Sequence, residues 1–351
     1  MPSATNGRKI LVEARKDPVC AAMLDALADT CHAIGHRVVR WRGPLSGRMP
    51  YRRSLPACDL AILFNGVHRV YRPILARLRT WGATTLMVES GWYPQANHYQ
   101  IDHRGVNASA SWAGEPIVVD QNTPLRVRPD GDLLLLLQLD DDTQITEHSP
   151  WFSSTEDMIR LVASCSALKV RVRLHPKSPD LPNLRRVVAE VGSDLDRSTS
   201  LEDALSRCRA VACVNSSAAV AALDAGLPVL CYGNAVYRHE GAVYCLDADP
   251  RATIAATREL ARGFSSLSQE RIAALVARIL SRQWTIEEVP RRLPPVIESL
   301  LTATPVVAPS PTLRDRVETP FFWLADLPAR LLYRSRLKQR PLPDGLLLRR
   351  R

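Results

Sequence analysis

The feature that most constrains this chain is an alternation of short apolar runs with longer segments of helical periodicity. Near the start, the pattern predicts a strand in KILVEARKD, a helix in VCAAMLDALADTCHAIG and a strand in HRVVRWRG. The alternation continues through ACDLAILFNG, YRPILARLRTWG and TTLMVES. Strands that alternate with helices form a parallel sheet covered by helices, so the sequence predicts an α/β fold.

A second series with the same alternation begins at DLLLLLQLD and runs to AVYCLD, followed by two further helical patterns. Between the two series, residues 92–128 are rich in Asn, Ser, Gly and Pro and show no clear period. A length of 351 residues accommodates two domains and a remainder. We therefore predict two Rossmann-like, doubly wound domains, over residues 1–120 and 121–300.

The remaining segment, residues 301–351, has a different composition. The sequence predicts that regular structure decays after about Pro290 and that TATPVVAPSPTL is a Pro-rich linker. Beyond it, TPFFWLADLPARLLYRSRLK interleaves aromatic and basic residues at near-helical spacing. This basic amphipathic tail is typical of a helix that lies on an anionic membrane surface, and a docked partner helix has the same pattern.

Charge and cysteine content narrow the class of protein. The net charge of +10 favours anionic partners such as nucleotide phosphates, acidic sugars or anionic lipid. The eight cysteines are scattered and form no CxxC pair, which predicts reduced thiols in a cytoplasmic protein and no zinc cluster. No apolar leader segment occurs, and the LLLLL run is too short to span a bilayer. We expect a cytoplasmic protein that is peripheral on the inner face of the cytoplasmic membrane.

Candidate site residues come directly after the predicted strands, because ligands of open parallel sheets bind beyond the carboxyl ends of the strands. The polar groups at these positions are Asn65 with Gly66, Glu89, Gln138, His175 with Pro176 and Lys177, Asn215 with Ser216 and Ser217, and Tyr237. The sequence contains neither GxGxxG nor a Walker lysine loop, which argues against a dinucleotide oxidoreductase and an NTPase.

Each of these patterns also has a purely structural explanation. The NSS turn supplies hydroxyl and helix N-terminal N–H groups that favour an anion, but Asn and Ser are common helix N-caps. His175 and Lys177 offer donors to a phosphate, although a lone His is more often structural. The carboxylates of Glu89 and Asp102 could act as nucleophile or general base at the anomeric carbon of a sugar. Their structural explanation is an ordinary helix cap or Asx turn. The LDDDT run at 139–143 resembles a metal-binding DxD motif, and we predict a solvated loop and no metal.

Taken in order, several segments resemble the capsule polysaccharide biosynthesis family, which includes bacterial β-Kdo transferases. The segments are ESGWYPQ, YQIDHRGVNASAS, LQLDDDTQITEHSPW, RLHPKS and SLEDALSRCRAVACVNSSAAVAALDAGLPVLCYGNAVY. The resemblance extends from about Asp59 to Tyr237. It implies a GT-B glycosyltransferase in which two Rossmann-like domains face a cleft, with CMP-Kdo as donor and retention of the anomeric configuration.

The resemblance also implies roles for individual residues. Asp102 is the implied catalytic carboxylate, and Glu89 supports it or the acceptor. The resemblance implies that His175 and the turn of Asn215, Ser216 and Ser217 hold the CMP phosphate and the acid group of the donor. To these we add, from the same strand ends, the donor-binding candidates Gln138, Pro176, Lys177 and Tyr237. Asn65, Gly66 and Asn107 are assigned to the acceptor. Because CMP leaves with a single phosphate, we expect no metal and no other cofactor.

The sequence thus predicts a glycosyltransferase that moves Kdo from CMP-Kdo to a lipid-linked or polysaccharide acceptor. The alternatives are a GT-B enzyme with another nucleotide sugar, such as a UDP-sugar transferase or epimerase, and a non-catalytic module that binds glycan or assembles the export machinery. Expected partners are the nucleotide-sugar donor, the acceptor, an anionic membrane surface contacted through residues 313–351, and capsule export proteins. We expect no nucleic-acid partner, because the basic residues are not interleaved with stacking aromatic residues on a recognisable nucleic-acid-binding module.

Overall fold

The computed structural model describes residues 7–43, 55–66, 71–139, 148–149, 152, 154–175 and 182–303. These residues form two compact units. The first unit contains residues 7–116 and 275–303, and the second contains residues 117–274. The predicted tail lies outside the described residues, apart from positions 301–303.

The first unit is a six-stranded sheet with helices on both faces. Its elements are β1 (Lys9–Glu13), α1 (Pro18–Ala33), β2 (Arg37–Trp41), β3 (Leu60–Phe64), α2 (Arg72–Thr80), β4 (Thr84–Ser90) and β5 (Tyr99–Asp102). The strand order is β2-β1-β3-β4-β5, with one late strand beyond β5. β1 to β4 are parallel, and β5 is antiparallel to β4. The order reverses between β1 and β3.

The second unit is a six-stranded parallel sheet. Its elements are β6 (Asp132–Leu136), α3 (Thr155–Cys165), β7 (Val170–Arg173), α4 (Pro182–Glu190), β8 (Asp194–Leu195), α5 (Leu201–Ser206), β9 (Cys208–Cys213), α6 (Ala218–Asp224), β10 (Val229–Cys231), β11 (Tyr244–Cys245) and α7 (Pro250–Ala261). The strand order β8-β7-β6-β9-β10-β11 is that of a Rossmann fold. Two doubly wound α/β units confirm the predicted fold class and fit a GT-B protein.

Local sequence explains why the elements begin where they do. Pro18 stands at the first position of α1, and the Asp17 side chain accepts hydrogen bonds from the backbone N–H groups of Val19 and Cys20. Ser154 and Ser200 cap α3 and α5 in the same way. The central strands β3, β6 and β9 are almost wholly buried, which explains their continuous apolar runs.

The end of the second predicted domain requires correction, because the described residues from 275 onward pack with the first unit. After α8 (Gln269–Ser281), the strand β12 (Gln283–Trp284) pairs antiparallel with β5, and α9 (Val289–Thr302) packs against α1. The apolar residues that join the first core are Trp284, Val289, Leu293 and Ile297. The boundary predicted at residue 300 therefore lies at Ala274, and that predicted at 120 lies at Pro116.

The predicted loss of regular structure after Pro290 is also wrong, because α9 continues to Thr302. Pro290 occupies the first turn, where a missing N–H costs nothing, but Pro294 and Pro295 lie inside the helix. Val289, Leu293 and Ile297 lie on one face and are fully buried against the core. Burial of this face offsets the hydrogen bonds that the two internal prolines cannot make.

Candidate functional site

The carboxyl edge of the second sheet carries the predicted donor residues. Gln138 comes after β6, and Asn215 comes after β9. These are neighbouring strands at the point where the strand order reverses, since β7 lies on one side of β6 and β9 lies on the other. In open α/β sheets this position is the usual ligand site.

Gln138 and Asn215 are joined by a reciprocal pair of hydrogen bonds. Gln138 Nε2 donates to Asn215 Oδ1 at 2.8 Å, and the Asn215 backbone N–H donates to Gln138 Oε1 at 3.2 Å. Asn215 Nδ2 also donates to the carbonyl oxygen of Asn234, at 3.1 Å. Both amide side chains are buried. Three strand-end loops are therefore held together by side-chain amides.

Tyr237 fixes the same loop from a different direction. Its hydroxyl donates to the Ser216 carbonyl oxygen at 2.9 Å and lies 3.3 Å from Cys213 Sγ. The side chain is fully buried, and this burial raises the pKa of Tyr237 well above its ordinary value. Tyr237 thus acts on the loop backbone, and its contacts are those of a positioning residue.

The two serines of the NSS turn remain half-buried at the edge. Ser216 Oγ accepts a hydrogen bond from the Ala218 N–H at 3.3 Å, and Ser217 occupies the N-cap position of α6 without a capping hydrogen bond from its side chain. The N-cap suggested for the turn is therefore not made by Asn215, whose side chain bonds across to Gln138. Ser216 and Ser217 are the hydroxyls that this loop presents near the reversal point.

His175 lies two residues beyond the end of β7, at the same edge, and is half-buried. Because β7 adjoins β6, His175 belongs to the loop next to that of Gln138. Pro176 and Lys177 lie outside the described residues. The structure therefore assembles Gln138, Asn215, Ser216 and Tyr237 directly, and places His175 one strand away.

In the first unit, the Asp102 carboxylate is surrounded by donors from its own loop. Oδ1 accepts from the N–H groups of Arg104 (2.8 Å) and Gly105 (3.2 Å). Oδ2 accepts from the N–H (3.0 Å) and the hydroxyl (2.6 Å) of Ser111. Four donors occupy the four lone-pair positions of a carboxylate. Asp102 therefore forms the Asx turn that the sequence allowed, and its carboxyl group is held in one orientation at the end of β5.

Glu89 projects from the same face of the sheet as Asp102. In the antiparallel ladder Glu89 pairs with Gln100, and Asp102 pairs with Met87. Residues two apart share a face, so the two carboxylates are diagonal neighbours across β4 and β5. Glu89 Oε1 accepts a hydrogen bond from the Ser90 N–H at 2.8 Å.

The predicted acceptor residues Asn65, Gly66 and Asn107 have clear structural contacts. Asn65 adopts a left-handed φ of 51°, and its N–H donates to the Val88 carbonyl oxygen at 2.7 Å. A Cβ at Gly66 would collide with the Met87 side chain. These contacts close the end of β3 against β4.

Asn107 forms a second reciprocal amide pair, with Gln100. Its N–H donates to Gln100 Oε1 at 2.8 Å, and its Oδ1 accepts from Gln100 Nε2 at 2.9 Å. Asn107, like Asn65, lies in the left-handed region, with a φ of 54°. The pair fixes the loop after Asp102.

Sequence reasoning missed a polar cluster after β1, formed by Glu13, Arg15 and Tyr71. Tyr71 donates to Glu13 Oε1 at 2.6 Å, and Arg15 Nη1 lies 3.3 Å from the same oxygen. One signal was available, since KILVE ends an apolar strand on a charged residue. The partner Tyr71 was not predictable, because it lies 58 positions away along the chain.

Three further observations concern metal binding, cavities and membrane helices among the described residues. No group of three His, Cys, Asp or Glu suited to a metal is found among the described residues, which include only Leu139 from the acidic run. A cavity of about 340 Å³ opens beside β7 and β8, lined by Arg171, Asp194, Leu195, Asp196, Arg197, Ser198 and Arg207. None of the predicted site residues lines this cavity. Within the part of the chain that the structure describes, no helix is long and apolar enough to cross a membrane.

The family is established by the sequence of the region that carries these loops. Residues 98–272 match the model of the family described as capsule polysaccharide biosynthesis protein. This match confirms the predicted family, and over these residues the chain belongs to it. The matched region includes Asp102 and all the residues that were predicted to bind the donor.

Solved structures with a similar chain path include two from Thermosulfurimonas dismutans. The KpsC β-Kdo 2,7 transferase is 12% identical, with 82% of this chain and 99% of that chain covered and a TM-score of 0.47. The KpsC β-Kdo 2,4 transferase is 13% identical, with 84% and 98% covered and a TM-score of 0.45. The calicheamicin glycosyltransferase CalG4 is 14% identical, with 87% and 100% covered and a TM-score of 0.37. A search of curated proteins finds no match.

Proposed function

We propose that this protein is a glycosyltransferase of capsule polysaccharide synthesis that transfers Kdo from CMP-Kdo to a lipid-linked or glycan acceptor. One observation carries the proposal. The family match contains a Rossmann-like unit whose reversal point is built from the buried pair Gln138 and Asn215, with Ser216 and Ser217 presented beside it. Such an edge suits a nucleotide-linked ligand.

The donor chemistry fits the groups at this edge. CMP-Kdo carries one phosphate and one sugar carboxylate, and both are bound best by fixed O–H and N–H donors. Ser216, Ser217 and His175 supply such donors, while Gln138 and Tyr237 keep the loop in place. We propose that Lys177 extends this set with its ammonium group, and that Pro176 contacts the donor without donating a hydrogen bond. A leaving group with a single phosphate also needs less charge neutralisation than a diphosphate, so we propose transfer without a metal or other cofactor.

The first unit supplies the carboxylates of the proposed reaction. Asp102 is proposed as the catalytic carboxylate of a retaining transfer, held by its four hydrogen bonds, and Glu89 as the group that assists the acceptor hydroxyl. Attack by Asp102 would require one of its oxygens to lose a donor. The bond to the Ser111 hydroxyl is the easiest to release, since a hydroxyl rotates freely. Asn65, Gly66 and Asn107 shape the loops around these carboxylates.

The donor is tested by thermal shift with CMP, UDP and TDP. We expect CMP alone to raise the melting temperature, because only a ligand of the folded state stabilises it by mass action. The double variant Ser216→Ala with Ser217→Ala should lose most of this shift. Ser281→Ala, at an exposed serine near the end of α8, is the matched control. A shift with UDP and none with CMP would support the alternative of a UDP-sugar transferase or epimerase.

The reaction is tested by incubation with CMP-Kdo and a panel of lipid-linked and free glycan acceptors, followed by mass spectrometry. We expect a mass increase of one Kdo residue on at least one acceptor. Glycan binding without transfer from any nucleotide sugar would support the non-catalytic glycan-binding or export-assembly module instead.

The place of action is a proposal of its own. We propose that the protein works in the cytoplasm on the inner face of the membrane, held there by residues 313–351, with capsule export proteins as neighbours. Removal of these residues should abolish sedimentation with anionic liposomes. Unchanged sedimentation of the shortened protein would contradict this proposal.

A further inference from the structure

The first unit has its own reversal point, at the carboxyl ends of β1 and β3. β1 ends in Glu13, whose side chain is fully buried. Its Oε1 accepts from the Tyr71 hydroxyl at 2.6 Å, and its Oε2 accepts from the Phe64 N–H at 3.0 Å. A Cβ at Gly43 would collide with the same carboxylate, so backbone closes over it. A buried carboxylate is costly to maintain without a partner of opposite charge.

That partner is Arg15. Its Nη1 lies 3.3 Å from Glu13 Oε1 and 3.4 Å from the Tyr71 hydroxyl, and its Cζ lies 5.6 Å from the centre of the Phe64 ring. The side chain is 14% exposed. Glu13, Tyr71 and Phe64 therefore hold the guanidinium in one orientation. Within the described residues, neither Nε nor Nη2 of Arg15 makes a hydrogen bond to the protein.

Arg15 shares its edge of the sheet with the proposed reaction carboxylate Glu89. β1, β3 and β4 are consecutive strands, and both residues lie at or just beyond the carboxyl end of a strand. Burial raises the pKa of the Cys20 thiol to about 12, and the charges of Asp17, Arg15 and Glu89 also act on it. Cys20 lies in the first turn of α1, so these charged groups surround the start of that helix.

The charged groups near Arg15 leave donors of its guanidinium for an anion. Asp17 is engaged as the cap of α1, where it accepts from two backbone N–H groups. Glu13 contacts only one nitrogen of Arg15, and a guanidinium retains further donors in a planar fork.

We infer that Arg15 forms an oxyanion site that binds a carboxylate or phosphate of the acceptor. The inference rests on the proposed function, since it assigns the chemistry of the acceptor to the first unit. An acidic group of the acceptor that binds to the planar guanidinium of Arg15 would place the acceptor at the sheet edge that also carries Glu89. The acceptor class is accordingly an acidic glycan or a phosphate-bearing lipid-linked sugar, and neutral glycans are poor substrates.

Binding is tested with three small probes: methyl Kdo glycoside, which carries a carboxylate; glycerol phosphate; and neutral methyl galactoside. We expect the protein to bind at least one acidic probe and not the neutral one, and Arg15→Gln to weaken that binding at least tenfold. Arg8→Gln is the matched control, because Arg8 precedes the amino end of the same strand and is exposed. Binding of methyl Kdo glycoside would identify a carboxylate as the group that Arg15 binds, and binding of glycerol phosphate would identify a phosphate.

Unchanged binding by Arg15→Gln, or an equal loss in Arg8→Gln, would overturn the inference. An independent measurement on the unaltered protein covers the case in which Arg15→Gln does not fold. The guanidinium 15N resonance of Arg15 should move on titration with the acidic probe that binds. A stationary resonance at saturation also contradicts the site. Arg15→Lys keeps the charge but not the fork, and intermediate binding is expected.

Kinetics separate this inference from the proposed function. In Arg15→Gln we expect the KM for an acidic acceptor to rise at least tenfold, while the KM for CMP-Kdo is unchanged. If the wild type transfers Kdo and this acceptor KM does not change, the inference fails and the proposed function stands. If the acidic probe binds through Arg15 but no sugar is transferred, the proposed function fails and the oxyanion site stands.

Discussion

The amide side chains of Gln138 and Asn215 show how single residues shape the carboxyl edge of the second sheet. Each satisfies the other, and neither has an exposed surface to offer a ligand. If a phosphate binds at this edge as proposed, its partners are the hydroxyls of Ser216 and Ser217 and the ring of His175. The sequence identified all these residues, but it did not distinguish those that hold the loop from those that face the edge.

We expect Gln138→Leu to destabilise the second unit by about 2–4 kcal/mol. The substitution removes the two hydrogen bonds that Gln138 makes to the buried Asn215 amide oxygen and N–H, and each lost bond of this kind costs about 1–3 kcal/mol. Urea unfolding measures the loss, and Gln121→Leu at an exposed glutamine is the control. A change of less than about 0.5 kcal/mol, as for ordinary surface positions, would contradict the role of the pair.

Asp102 is the residue whose two roles need separation. If it is the catalytic carboxylate, Asp102→Asn should lower kcat for Kdo transfer by about 100-fold or more. Ser111→Ala should lower it far less, because the Ser111 N–H still donates to Oδ2. The assay compares initial rates with CMP-Kdo. Equal losses in the two variants would show that Asp102 acts by holding its loop.

At the scale of elements, pattern and propensity predicted most strands and helices but missed three short strands, β5, β8 and β12. Residues 92–128 looked irregular, yet Tyr99–Asp102 forms β5. Its Tyr99 and Ile101 face the core, while Gln100 and Asp102 face the other side and bond to loops. Four residues are too few for alternation to be recognised, and the pairing partners β4 and β12 decide the outcome.

The start of α8 supports a prediction on pH. Glu270 accepts hydrogen bonds from the Thr123 N–H at 2.8 Å and the Ser268 hydroxyl at 3.0 Å. These bonds lower the pKa of Glu270 to about 2, from 4.5. The ionised carboxylate therefore stabilises the fold above pH 4.5, and this contribution disappears as the pH falls from 4.5 towards 2.

We expect the stability difference between the wild type and Glu270→Gln to be constant above pH 4.5 and to shrink between pH 4.5 and 2. Urea unfolding at a series of pH values measures it. Glu298→Gln, on the last helix, controls for the loss of one charge. A difference that does not vary with pH would contradict the shifted pKa.

At the scale of the whole molecule, the chain builds one unit, then a second, and returns to the first. The return is made by β12 and α9, which complete the first sheet and cover α1. The first unit is therefore discontinuous in sequence. Assignment of elements in chain order places the returning residues in the nearer unit, which is why the predicted boundary fell at residue 300.

This connectivity predicts which unit each core substitution destabilises. Leu293 in α9 and Leu260 in α7 are both fully buried, in the first and second cores respectively. Each change to Ala should cost about 2–5 kcal/mol, from lost burial and the cavity that remains. Hydrogen exchange read by mass spectrometry should show faster exchange in 7–116 for Leu293→Ala and in 117–274 for Leu260→Ala. Faster exchange of 117–274 in Leu293→Ala would contradict the assignment of α9.

The sequence by itself determined that two helix-covered sheets form and that polar residues gather at their carboxyl edges. Both are local properties, since they depend on apolar periodicity and on the residue types directly after each strand. The tertiary structure decided the features that depend on distant segments. It pairs Gln138 with Asn215, 77 positions apart, returns α9 to the first core despite two internal prolines, and buries Glu13 beside Tyr71 so that Arg15 is held at the edge. These outcomes arise from burial and hydrogen-bond satisfaction between segments that are distant in the sequence, which no local pattern records.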